Sequence, residues 1–126
     1  MSVNKAILVG RLGRVPEIRS TGGGKKVANF SIATDETYKN REGEKVKSTE
    51  WHRIVLWDKL AEIAEEYLHK GDLVYLEGKI ATRQYEDKRD GSTKQTTEVI
   101  ANVMRMLGSK REAGASEEAA DEASPF

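Results

Sequence analysis

Short segments of this chain carry β-branched and apolar residues, several of them at every second position, and that pattern predicts strands. Lys5–Leu12 is apolar and β-branched at its centre and reads as a strand ended by Gly13. Gly22-Gly23-Gly24 is a turn, and Val27–Thr34 is the strand that follows it. Tyr38–Ser48 is polar, rich in Lys and Glu with Gly43 at its middle, and reads as a loop or a mobile hairpin. Glu50–Trp57 is a strand of β-branched and aromatic residues. The period then changes. Leu60, Ile63, Ala64, Tyr67 and Leu68 fall at i, i+3, i+4, i+7 and i+8, the apolar stripe of an amphipathic helix. Asp58 is placed to cap its start, and Gly71 stands where a left-handed residue would end it. Alternation returns in Leu73–Arg83 and Thr97–Met106, two strands separated by the charged loop Tyr85–Thr96, and Gly108 closes the folded part.

Five strands with one helix between the third and the fourth is the element order of an OB-fold, a small Greek-key barrel with a helix at one end. The expected class is therefore mainly β, with residues 1–108 as the domain. Residues 109–126 contain no periodic apolar positions, only Ala, Glu, Ser and Gly for the most part, and are expected to be a disordered linker and acidic tail.

The alternation also sorts side chains into faces. In Glu50–Trp57, Ile54 and Leu56 share a face with Glu50 and His52 and are expected in the core. Trp51, Arg53, Val55 and Trp57 lie opposite, so two indoles flank a guanidinium. Unstacked bases suit such a surface, because rings stack on them while Arg53 reaches phosphate. The competing reading makes the Trp side the core, as Trp is highly buried on average, but an unpaired arginine is almost never fully buried. In Val27–Thr34, Ala28, Phe30 and Ile32 are expected in the core, while Asn29 and Ser31 face the other way and could bond to bases or sugars, or simply to water.

Charge distribution strengthens the nucleic-acid reading. The whole chain carries 21 basic and 21 acidic residues, but residues 112–126 hold five acids (Glu112, Glu117, Glu118, Asp121, Glu122) and no base. A body with five excess positive charges and an acidic end fits nucleic-acid contact combined with an interaction tail. Both polar loops pair a tyrosine with cations: Tyr38 with Lys39 and Arg41, and Tyr85 with Arg83, Lys88 and Arg89. The chain has no cysteine and only His52 and His69, which leaves little for a metal site, and no cofactor is expected. A nuclease built on His52, Asp58 and Glu62 is a poorer fit, because alternation sets His52 behind the Trp face and Asp58 already has a role as a helix cap. The N-terminal apolar run is too short for a signal peptide, so a cytoplasmic protein without membrane contact is expected.

Several segments together resemble the bacterial single-stranded DNA-binding proteins: Val3-Asn4-Lys5, Ile7-Leu8-Val9-Gly10, Pro16-Glu17-Ile18-Arg19, Thr49-Glu50-Trp51-His52-Arg53, Lys59-Leu60-Ala61-Glu62, Tyr67-Leu68-His69-Lys70-Gly71 and Tyr75-Leu76-Glu77-Gly78. The resemblance implies an OB-fold, a homotetramer, no catalysis and a role in DNA replication, recombination and repair. It implies stacking aromatics at Tyr38, Trp51, Trp57 and Tyr85, basic contacts at Lys5, Arg19, Arg53 and Arg83, and a subunit interface at His52. Family members commonly carry Trp at the positions of Tyr38 and Tyr85, and Phe at that of Trp57. The resemblance also implies partner docking through the C-terminus, here Asp121, Glu122, Pro125 and Phe126, although Ser124 stands where the family has a bulky aliphatic. Read by itself, a terminal Phe behind acids suits a small apolar pocket rimmed by Lys or Arg.

Overall fold

A computed structural model describes residues 1–108 of the chain, all in one barrel. The elements are β1 (Ala6–Leu12), β2 (Glu17–Ser20), β3 (Lys26–Lys39), β4 (Lys45–Trp57), α1 (Lys59–Tyr67), β5 (Leu73–Glu86) and β6 (Thr93–Gly108). Their lateral order is β1-β5-β6-β4-β3-β2, and a further pairing of Arg11 with Ala33 and Leu12 with Ile32 joins β1 back to β3. That pairing closes five strands into a barrel, with β4 and β6 parallel over Arg53–Val55 and Glu98–Ile100 and the other pairs antiparallel. This is the expected OB-fold, with the helix in its expected place between the strands Glu50–Trp57 and Leu73–Arg83 belong to.

Closure brings backbones unusually near one another at two glycines. A methyl on Gly10 would run into the Ala33 carbonyl where β1 meets β3, and one on Gly78 would run into the Ile100 carbonyl. The β5–β6 register shifts between Glu77 and Gly78, as a bulge there bends the strand round the barrel.

The core comprises Leu12, Ala28, Phe30, Ile32, Ile54, Leu56, Val74, Leu76, Val99 and Ala101 from the strands, with Ala61, Ala64 and Leu68 closing one end. It contains all five strand residues expected there from Val27–Thr34 and Glu50–Trp57. Each large buried aliphatic contributes roughly 1.5–3 kcal/mol relative to exposure.

The helix begins after Asp58 as expected, but it differs in how Asp58 acts, in where the helix ends, and in burying Ala61 rather than Tyr67. Ala61, Ala64 and Leu68 face the core, Leu60 is only half-buried, and Tyr67 is 51% exposed. Small alanines let the helix approach the mouth of a narrow barrel, and that close approach overrides the larger stripe. Asp58 occupies the N-cap position, but its side chain makes no capping bond, and its φ of 55° is the one positive value on a non-glycine among the described residues. Its backbone N–H donates to the Lys26 carbonyl instead, which fixes the corner between β4 and α1. At the other end Leu68 is already extended, so the helix stops three residues before Gly71. Gly71, with φ 89°, belongs to the turn into β5, where its N–H donates to Leu12 and the buried Asp72 carboxylate accepts the His69 N–H at 2.8 Å.

Both polar segments are hairpins, one of the two readings expected for Tyr38–Ser48 and a departure from the loop expected for Tyr85–Thr96. β3 and β4 stay paired from Val27–Trp57 out to Lys39–Lys45, and β5 and β6 out to Glu86–Thr93. Both arms extend beyond the barrel, so neither face is buried and no apolar alternation marks them. Asn40 accepts the backbone N–H groups of Glu42 and Glu44 and so folds the first tip. In the second tip Asp87 binds the Lys94 ammonium at 2.7 Å and accepts the Arg89 N–H, which together hold its carboxyl below the usual carboxylate range. β2 is a four-residue strand on the outer edge of β3 that the alternation does not reveal.

Candidate nucleic-acid interface

Directly opposed residues of antiparallel neighbours share a face. Trp51 opposes Ala33, Arg53 opposes Ser31, and Val55 opposes Asn29, so these six residues lie on one side of β3 and β4. Across the parallel pair Arg53 stands level with Glu98, which opposes Ala81 of β5. Two residues further along β5 comes Arg83, on the same side. One continuous face of four strands therefore carries Asn29, Ser31, Trp51, Arg53, Arg83 and Glu98.

This face is the floor of an open groove of about 850 Å³, walled by Gly13, Arg14, Val15, Glu17 and Arg19 from the β1–β2 segment. Six expected contact residues meet there: Arg19, Asn29, Ser31, Trp51, Arg53 and Arg83. A second hollow of about 550 Å³ adjoins it across Trp51, Arg53 and Glu98, and it includes Tyr85, His52, Ala6, Leu8 and Ile80. The indole and guanidinium thus form the ridge between two depressions.

Trp51 is 57% exposed, which settles the choice of face for this residue: the core is on the Ile54 side. Its ring lies over Gly13, where a Cβ would come within 2.6 Å of the indole. The Gly13 N–H donates to Ser31, which locks that seat to β3. Between the indoles Val55 is buried at 6% though outside the core cluster, and beyond it Trp57 emerges, 41% exposed and opposite Val27.

Three expected contacts lie outside both depressions. Trp57 is six residues from Trp51, about 20 Å along a strand. Tyr38 is exposed on the first hairpin and, by register, belongs to the alternate set that includes Thr34, Val46 and His52. Lys5 pairs with Glu77 at 3.0 Å, and the Tyr75 hydroxyl followed by the Lys5 ammonium holds the Glu77 carboxyl below its ordinary value. His52 is half-buried on the side away from Trp51, its Nε2 2.9 Å from the Thr34 hydroxyl. Asp121, Glu122, Pro125 and Phe126 lie outside the described residues.

The groove cations are not equivalent. Arg19 is paired with Glu17 at 2.6 Å and Arg83 with Glu98 at 3.0 Å. Among the described residues, Arg53 and Arg14 take part in no ion pair, so they present undivided charge. Gly13, Arg14 and Glu98 are the groove residues that the sequence reading passed over. Gly13 appeared only as a strand end and as part of the family-like Leu12-Gly13 pair, with no contact role, and Glu98 only as one polar position in an alternating strand.

The profile of the single-strand binding protein family matches residues 3–107. The single-stranded DNA-binding proteins of Neisseria meningitidis serogroups A and B are 54% identical over 112 residues, 89% of this chain and 64% of theirs, so the chain spans somewhat under two thirds of their length. Single-stranded DNA-binding protein 1 of Chlorobaculum tepidum is 45% identical over 117 residues, covering 93% of this chain and 72% of that one. Among solved structures, a Plasmodium falciparum protein of the same kind in complex with single-stranded DNA superposes with a TM-score of 0.79 at 38% identity, covering 85% of this chain and 97% of that one. A deletion mutant of the Thermus aquaticus single-stranded DNA-binding protein gives 0.75 at 29% identity, over 86% of this chain and 52% of that one.

Proposed function

Because this chain belongs to the single-strand binding protein family, we propose that it holds single-stranded DNA on the four-strand face around Trp51, without sequence preference and without catalysis. The observation that carries this reading is the exposed Trp51 indole beside the ion-pair-free Arg53, on the ridge between two open depressions. A base stacks on the indole whatever its identity, since every base has a π-face. Arg53 and Arg14 meet phosphates. Arg19 and Arg83 do so by sharing or exchanging their carboxylate partners. Asn29 and Ser31, half-buried beside them, hydrogen-bond to bases or sugars. Tyr85 extends the path into the second hollow, and Tyr38, Trp57 and Lys5 continue it beyond. No metal or cofactor is needed for any of this.

Salt is the direct test. With phosphates neutralised, the logarithm of the affinity for oligo(dT) should fall with log[salt] at a slope of about −0.7 per phosphate. Arg53→Ala should weaken binding and flatten that slope by roughly one such step. A titration that is flat for the parent protein would leave stacking alone as the driving force and remove the basic-groove reading.

The protein is further proposed to act as a homotetramer in the cytoplasm, associated with the nucleoid, protecting DNA during replication, recombination and repair. Its tail residues Asp121, Glu122, Pro125 and Phe126 would recruit the proteins of those pathways. A subunit contact is proposed near His52, which is half-buried on the side away from Trp51. Light scattering should give a mass near four chains, and a clean monomer at micromolar concentration would overturn the assembly.

A further inference from the structure

Glu98 is an odd residue to find beneath a phosphate-binding face. It is 8% exposed, lines both depressions, and lies between two cations. Arg83 donates to it from Nε at 3.0 Å and, weakly, from Nη2 at 3.4 Å. Arg53 stands level with it across the β4–β6 pair. Among the described residues its side chain accepts from no donor but Arg83, and its neighbour Thr97 is tied instead to Thr82.

We propose that Glu98 is a built-in charge brake on this groove: a carboxylate that spends the charge of Arg83 and offsets the field of Arg53, so that bound DNA stays exchangeable. It rests on the reading of the face as a single-stranded DNA site. A guanidinium has five N–H donors in a planar fork. With Nε and Nη2 turned to Glu98, the Nη1 edge remains for a phosphate, so Arg83 is oriented as well as neutralised. The pair is neutral as a unit, and a phosphate arriving at Arg83 meets a carboxylate behind it. Glu98 is thus a positioning residue that acts through two arginines, and the salt dependence of binding is the quantity it sets.

The test compares the full chain with Glu98→Gln, which keeps shape and one acceptor for Arg83 but removes the charge. Fluorescein-labelled oligo(dT) is titrated over a range of NaCl, and thermal melting is followed in parallel. Glu98→Gln should bind roughly three- to tenfold more tightly at low salt, with the gap closing as salt rises. Its slope should steepen by about 0.7, one further phosphate neutralised. A purely structural role for Glu98 would lower the melting temperature without steepening the slope. Equal or weaker binding by a folded Glu98→Gln overturns the brake. Should that variant fail to fold, Arg83→Gln is compared with the Arg83→Gln/Glu98→Gln double variant: the double should bind more tightly, since it lacks the bare carboxylate, and equal affinities would overturn the proposal. Failure of the parent protein to bind oligo(dT) would instead remove the DNA reading itself.

Discussion

Trp51→Ala should weaken oligo(dT) binding by ~1–3 kcal/mol, the range for losing one base–aromatic stack, which is about five- to 150-fold in affinity. The fold should survive. The indole is more exposed than buried, while the strand that bears it is anchored by Ile54 and Leu56 on the other side. Gly13→Ala supplies an independent arm. A new methyl 2.6 Å from the ring forces the indole off its seat while leaving the aromatic group in place. It should shift Trp emission and reduce affinity less than truncation does. Trp57→Ala reports on the outer part of the path, beyond both depressions. Melting curves and oligo(dT) titrations of the three variants decide the matter. Normal binding by Trp51→Ala, or its failure to fold, would mean that the stacking surface lies elsewhere.

Much of this was legible because a closed barrel imposes a strict rule on its strands: one side faces the core and one does not. Ala28, Phe30, Ile32, Ile54 and Leu56 obey it and are buried. By the same rule Trp51 and Arg53 had to be outside together. What the rule could not reach was anything set by partners far apart in sequence. Glu98 looks like any other polar alternate until pairing places it level with Arg53 and beside Arg83. Gly13 looks like a strand end until Trp51 is laid over it. The first hairpin arm stayed ambiguous between loop and hairpin, and the second was read as a loop, because a ribbon with water on both sides has no apolar period to detect. The helix stripe held at Ala64 and Leu68, with Leu60 packed against the core, but it included the exposed Tyr67 and left out the buried Ala61, because stripe-counting favours large side chains where a narrow barrel mouth takes a small one.

The cation pairing also bears on how affinity is apportioned. Arg19, Lys5 and Arg83 already have carboxylate partners at 2.6–3.0 Å, so a phosphate gains from each only the difference between two similar interactions. Arg53 and Arg14 give up no ion pair. The net positive charge of the body therefore overstates the number of phosphates it can neutralise, and the measured slope should be smaller than the count of bases near the groove.

The largest loss is expected from a residue outside the described ones. Phe126→Ala should abolish binding to purified replication and repair proteins while leaving oligo(dT) binding intact. Phe126 is the only large apolar group in residues 112–126, and truncating it keeps every acidic residue. An apolar anchor in a pocket supplies most of a short peptide's docking energy, whereas solvated acids contribute chiefly to steering, so neutralising the acids should cost less. Deleting residues 112–126 should give the same loss of partner binding, with DNA affinity unchanged or slightly higher. Five acids on the same chain as a basic groove compete weakly with phosphate, and that gain should grow as salt falls. Pull-down and oligo(dT) titration of both variants distinguish the outcomes. Loss of DNA binding on truncation would place the tail inside the binding site. Partner capture undiminished by Phe126→Ala would mean that Ser124, in place of a bulky aliphatic, marks a terminus that no longer docks through its last residue.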